Sequence, residues 1–135
     1  EKLKFWEELK DYSDNNHSKL RITRKPRPQH WYSMSIGIRH IGLNFIHNTR
    51  TSSIAVDIYI NQQDIYDKIQ ARKDFFESQC GELELEWLAL QGKKASRILT
   101  SRSCDLTNEA SWEEYFNWFI KTGETLLTAI NKSYK

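Results

Sequence analysis

Hydrophobic positions along this chain follow two spacings, one helical and one of period two, and the changes between them mark the elements. At the start, Leu3, Phe5, Trp6, Leu9 and Tyr12 recur at helical intervals while Lys2, Glu8 and Asp11 take the other side. That spacing predicts an amphipathic helix over 1–13. Ser13-Asp14-Asn15-Asn16 ends it, because short polar side chains compete for backbone hydrogen bonds. The stretch 19–28 is expected to be extended or irregular, since Pro26 and Pro28 each disfavour helix at themselves and at the residue before.

The spacing then drops to two. Tyr32, Met34 and Ile36 fall on one face of a strand, with Trp31, Ser33 and Ser35 on the other. Gly37 permits a turn or bulge, and a second strand over 38–47 keeps Ile41, Leu43 and Phe45 in phase. After a polar loop at 48–52, Ile54, Val56, Ile58 and Ile60 alternate with Ala55, Asp57 and Tyr59. Connections this short imply antiparallel pairing, because a parallel pair needs a crossover of about a dozen residues or more. A helix is expected from Gln63 or Asp64 to Cys80, capped by Asp64 and burying Ile65, Ile69, Phe75 and Phe76. Gly81 suits the left-handed conformation that commonly follows a helix. Leu83, Leu85 and Trp87 alternate with Glu84 and Glu86 as a fourth strand, and a turn at 91–94 leads to a basic fifth strand over 95–102. Glu84 and Glu86 are expected to meet Arg97 across this hairpin. Ser111-Trp112-Glu113-Glu114 has the form of a capping box. It opens a last helix with a broad apolar stripe that includes Trp112, Phe116, Phe119, Leu126 and Ile130. Gly123 interrupts that stripe and predicts a kink or a close approach by another backbone. The expected fold is α+β: a five-stranded antiparallel sheet with packed helices, in the order α-βββ-α-ββ-α.

Composition narrows the class. At 135 residues the chain fits a single domain over 1–135. It begins at Glu1 rather than Met, so it is expected to be an excised or trimmed domain. Only 39% of residues are hydrophobic, but five Trp, six Tyr and six Phe give a polar sequence the area to build a core. Cys80 and Cys104 are too far apart for a zinc-type pair and follow no secretory signal, which predicts free thiols and a cytoplasmic setting. No apolar run approaches the roughly 20 residues of a membrane helix, so no membrane partner is expected.

The net charge of +2 implies no partner, but its distribution does. Lys19, Arg21, Arg24, Lys25 and Arg27 form a Pro-punctuated basic arm just before His30-Trp31-Tyr32, and Lys93, Lys94, Arg97 and Arg102 form a second basic stretch. Cations beside aromatics suit nucleic acid, with charge on the phosphates and rings stacked on bases. The candidate binding residues are therefore Arg21, Arg24, Lys25, Arg27, Trp31, Lys93, Lys94 and Arg97. The competing reading is a solvated connector, with Trp31 and Tyr32 packed in the core.

Catalytic chemistry finds less support. A metal-dependent nuclease needs strand-borne carboxylates with a lysine close by. Asp57, Glu84 and Glu86 supply carboxylates, but Glu84-Leu85-Glu86 and Glu86-Trp87-Leu88 lack the lysine. His40 and His47, seven apart in or near one strand, would point to opposite faces and share no metal. Cys104 could be activated by Arg102, although a passive thiol is the preferred reading. Gly37 and Gly42 lead into a strand rather than a helix N-terminus, so they make no phosphate loop. No catalytic residue, metal site or cofactor is assigned. Trp6, Trp112 and Trp118 exceed what one small core obviously needs and could anchor a partner or a homodimer.

With the elements placed, an ordered set of short matches emerges. They include Phe5-Trp6-Glu7-Glu8-Leu9, Trp31-Tyr32 before Ile36-Gly37, Val56-Asp57-Ile58-Tyr59-Ile60, and Gly81-Glu82-Leu83 leading to Glu86-Trp87. Lys94-Ala95-Ser96-Arg97-Ile98 and Trp112-Glu113 with Trp118 complete the set. In these features the chain resembles the prokaryotic family known as domain of unknown function 4268. Some members of that family resemble the C-terminal portion of longer proteins with a nuclease-like N-terminal region. The resemblance thus implies an accessory role near nucleic acid, with a nuclease-like domain as one expected partner. The combined reading is an accessory or binding module associated with nucleic acid and without catalytic activity of its own. A protein-interaction or homodimerisation domain and a divergent metal-dependent nuclease-like domain are the alternatives.

Overall fold

The computed structural model describes residues 2–16, 18–89 and 95–134. Helix α1 (Lys2–Asn15) precedes a meander of β1 (Trp31–Ile38), β2 (Ile41–Asn48) and β3 (Ser53–Ile60). Two short helices follow, α2 (Gln63–Gln70) and α3 (Lys73–Ser78), then β4 (Glu86–Leu88), β5 (Ser96–Ser103) and α4 (Trp112–Tyr134). All strand neighbours are antiparallel and lie in the order β1-β2-β3-β5-β4. The expected open five-stranded antiparallel sheet and its α-βββ-α-ββ-α order are therefore present, with the middle helical segment in two pieces.

The core lies on one face of the sheet. Leu43, Phe45, Ile54, Val56, Ile58, Ile60 and Ile98 are fully buried there, as the period of two requires. Helix α4 lies against β2 and β3, with Phe119 stacked on Phe45 at 4.7 Å between ring centroids. Gly123 allows this fit: a Cβ there would stand 2.8 Å from Leu20 Cδ1 and 3.1 Å from Phe45 Cε1. The close neighbours are side chains rather than a second backbone. Helix α1 crosses α4 through Phe5, whose ring meets Trp112 and Phe116 edge-on or tilted at 5.1 and 5.0 Å. Trp6 and Trp112 are buried and donate their indole N–H groups to the carbonyls of Gln29 and Leu106, each at 2.8 Å. These two tryptophans are core residues, not interface anchors; Trp118 is half-buried at the core's margin.

Several boundaries differ from the sequence expectation. Gly37, at φ 76°, forms a bulge within β1, and the reversal comes later at Arg39–His40, where His40 takes φ 70°. His40 thus sits in a turn with Nδ1 2.9 Å from Asn61 Oδ1, and only His47 lies in a strand. The helix expected to run to Cys80 breaks at Ala71–Arg72, where Arg72 turns back to donate to the Ser133 carbonyl and lies over the Phe75 ring. Ile65, Tyr66, Ile69 and Phe76 all reach the core around this break, but Phe75 is left exposed. Asp64 falls inside the first turn of α2, and Gln62 is the cap residue. The capping box does not form: a 3-10 turn (Glu109–Ser111) precedes α4, and Glu114 pairs instead with Arg102 at 2.9 Å. Strand β4 is short, so Leu83 and Leu85 lie outside it. Among the described residues no helix is long and apolar enough to cross a membrane.

Candidate nucleic-acid interface

Strand alternation that sends one set of side chains to the helices sends the other set to the opposite face. That face carries Trp31 and Ser33 of β1, Asn44 and Ile46 of β2, Asp57 and Tyr59 of β3, and Arg97 and Leu99 of β5. No described helix packs on it. In the strand register Ser33 stands opposite Asn44, and Asn44 opposite Asp57. Their side chains make a continuous ladder. Ser33 Oγ donates to Asn44 Oδ1 at 2.5 Å, Asn44 Nδ2 donates to Asp57 Oδ1 at 2.9 Å, and Arg97 Nε donates to Asp57 Oδ2 at 2.5 Å. Asp57 is only 1% exposed. Burial pushes its carboxyl above the ordinary range, while the Arg97 charge and the hydrogen bonds from Arg97 and Asn44 pull the other way.

Two large aromatic rings bracket the ladder. Trp31 is 48% exposed and Tyr59 41%. Trp31 aligns with Ile46 and Ala55, and Tyr59 with Gly42 and Ser35, so the two rings project from diagonal corners with the ladder row midway. Standard strand spacings put them roughly 16 Å apart. A shallow cleft between them is lined by Trp31, Asn44, Asp57, Tyr59 and Arg97. A second cleft shares Trp31 and Ser33 and is lined otherwise by Arg24, Lys25, Arg27, Gln29 and Tyr32. The arm is held there by Tyr32. Its buried ring donates a hydroxyl hydrogen bond to the Arg24 carbonyl, and burial, with Asp14, pushes the phenol up to about 12.

Of the residues singled out in the sequence, Arg24, Lys25, Arg27 and Trp31 thus meet at one cleft, and Arg97 lines the adjoining one. Arg21 is exposed but lines neither. Lys93 and Lys94 lie outside the described residues. Trp31 is on the surface while Tyr32 is in the core, so the two aromatics divide between the competing readings. The arm's cations Arg24, Lys25 and Arg27 take part in none of the ion pairs among the described residues. Arg97 pairs with Asp57, not with Glu84 or Glu86, because β5 adds to β3 and brings the two together diagonally. Ser33, Asn44 and Tyr59 were missed in the sequence. The available signal was a polar position in the middle of β2 and an Asp inside the most apolar strand.

Other chemistries are weakened by the same geometry. Both Asp57 oxygens are engaged, and among the described residues no three His, Cys, Asp or Glu side chains form a metal-holding group. Burial raises the Cys104 thiol against the opposing pull of Arg102, and it raises the Cys80 thiol to about 11, in both cases away from the thiolate form.

A family model, Domain of unknown function (DUF4268), matches residues 1–134. The chain belongs to this family. The extent of the match covers both the arm and the open sheet face of this DUF4268 domain. A comparison with curated proteins gives no match. Among solved structures the DUF4268 domain is similar to YbjN, described as "a putative transcription regulator from E. coli", with a TM-score of 0.52 and 8% identity over 93% of this chain and 88% of that one. At such identity the likeness establishes the fold alone.

Proposed function

We propose that this DUF4268 domain is a non-catalytic accessory module that binds single-stranded nucleic acid across its open sheet face and basic arm. The observation that carries the reading is the cleft where Arg24, Lys25 and Arg27, in no ion pair among the described residues, stand beside the exposed Trp31 ring. Cations neutralise phosphates and release counterions, which gives affinity that falls with salt. Exposed rings add stacking of about 1–3 kcal/mol per base without demanding a sequence. Trp31 and Tyr59 supply two such platforms on one face, and bases stacked on them require an unpaired strand. The description of YbjN as "a putative transcription regulator" agrees with a binding role near nucleic acid. A nuclease-like domain, which the family resemblance implies, is the partner we propose this module assists.

The test is a titration of labelled single- and double-stranded oligonucleotides at low and high salt. Single strands are expected to bind at low salt and weaken as salt rises. Trp31→Ala is expected to cost about 1–3 kcal/mol on single strands, roughly 5- to 150-fold in Kd, and little on duplex. A charge-reversed Arg24→Glu, Lys25→Glu, Arg27→Glu variant should lose most of the salt dependence. No binding at low salt, or binding indifferent to these changes, would overturn the proposal.

A further inference from the structure

Arg97 does not resemble the cations of the arm. Its Nε is fixed by Asp57, Asp57 is fixed by Asn44, and Asn44 is fixed by Ser33, so the guanidinium is oriented through a ladder spanning four strands. The two terminal amino groups have no partner among the described residues, and Arg97 lines the cleft between Trp31 and Tyr59. In the register Arg97 stands directly opposite the exposed Tyr59, and the two residues line the same cleft.

We infer that Arg97 reads one guanine base stacked on Tyr59, giving this face a base preference at a single position. The inference rests on the single-strand reading above and adds a specificity residue to it. A guanidinium whose Nε is occupied still presents a two-pronged donor, and guanine O6 and N7 are the acceptor pair such a fork matches. A phosphate also fits a fork. Two features favour the base: the Asp57 carboxylate offsets the charge on Arg97, which weakens the pull on an anion but leaves the donor pattern intact, and Tyr59, opposite Arg97 in the register, lines the same cleft. Phosphate contacts fall to Arg24, Lys25 and Arg27, whose charges are offset by no ion pair among the described residues. Asp57, Asn44 and Ser33 are positioning residues, since they act through Arg97.

The experiment compares the affinity of the whole chain for oligo-dT, for the same oligomer with one central guanine, and for that oligomer with 7-deazaguanine in the guanine's place. The guanine is expected to tighten binding about 5- to 150-fold, the range of one good bidentate pair, and 7-deazaguanine to lose most of that gain because it lacks N7. Arg97→Lys keeps a cation against Asp57 but has no fork, so it should abolish the preference, bringing the guanine oligomer to the affinity the variant shows for oligo-dT. A thermal melt confirms that the variant is folded, and the deaza comparison on the unaltered protein tests the inference without any variant. Equal affinity for all three oligomers overturns the inference but leaves single-strand binding standing. Uniform weakening by Arg97→Lys also overturns it, in favour of a phosphate contact. No binding of any oligomer at low salt overturns both.

Discussion

His47 shows most clearly how one buried residue couples this fold to pH. Its ring is 2% exposed, packs against Trp6 at 5.2 Å and against His30 and Phe5 at 5.8 and 5.9 Å, and neither ring nitrogen finds a hydrogen-bond partner among the described residues. Burial, then the charges of His30 and Lys2, push it from 6.5 down to about 4. The unfolded chain therefore takes up a proton near pH 6.5 that the native state refuses until about pH 4. Stability is full above pH 6.5 and falls with pH through that window, by on the order of 3 kcal/mol in total. Urea denaturation at pH 7 and pH 4.5 should show this acid loss, and His47→Leu should remove much of it while changing stability at pH 7 by about 1 kcal/mol or less. At Asp57 the concern is charge. Arg97→Ala strands a buried carboxylate and is expected to cost about 3–5 kcal/mol, whereas Arg97→Lys should cost clearly less; chemical denaturation distinguishes them. The sequence made Asp57 visible as a mid-strand carboxylate and Arg97 as a cation, but not as a pair. Their contact depends on the register between β3 and β5, which are separated by α2, α3 and β4.

Among the elements, those set by local pattern were legible and those set by tertiary contact were not. Ile54, Val56, Ile58 and Ile60 announce β3, and their alternation correctly sends Asp57 and Tyr59 to the other face. Gly81 takes φ 62° after α3, as expected of a glycine closing a helical segment. The break between α2 and α3 has no proline or glycine to signal it; it follows from Arg72 reaching Ser133 on α4. The capping box fails for a comparable reason, because Arg102 on β5 claims Glu114. Gly123 was noticed for its helix cost, yet its role comes from the side chains of Leu20 and Phe45 pressing on α4. Gly123→Val should therefore lower stability by about 1–3 kcal/mol through overpacking, measurable as a reduced denaturation midpoint.

At the scale of the whole molecule, the described helices gather on one face of a five-stranded sheet and leave the other open. The inserted position of β5 between β3 and β4 completes that open face, because it delivers Arg97 to the side of Asp57 and Tyr59. Strand order was the part of the topology the sequence did not reveal, since it arises from long-range pairing. The basic arm was legible as charge, and its placement required Tyr32 to hold the Arg24 carbonyl at the sheet edge. The central claim is that the open face and this arm form one surface for single-stranded nucleic acid. Amide chemical-shift mapping on addition of oligo-dT at low salt tests it most directly. The expected perturbations fall on 24–33, 42–46, 55–59 and 97–101, with α1 and α4 unaffected on their outer sides. Perturbations confined to α1 and α4, or no perturbation at low salt, would contradict it.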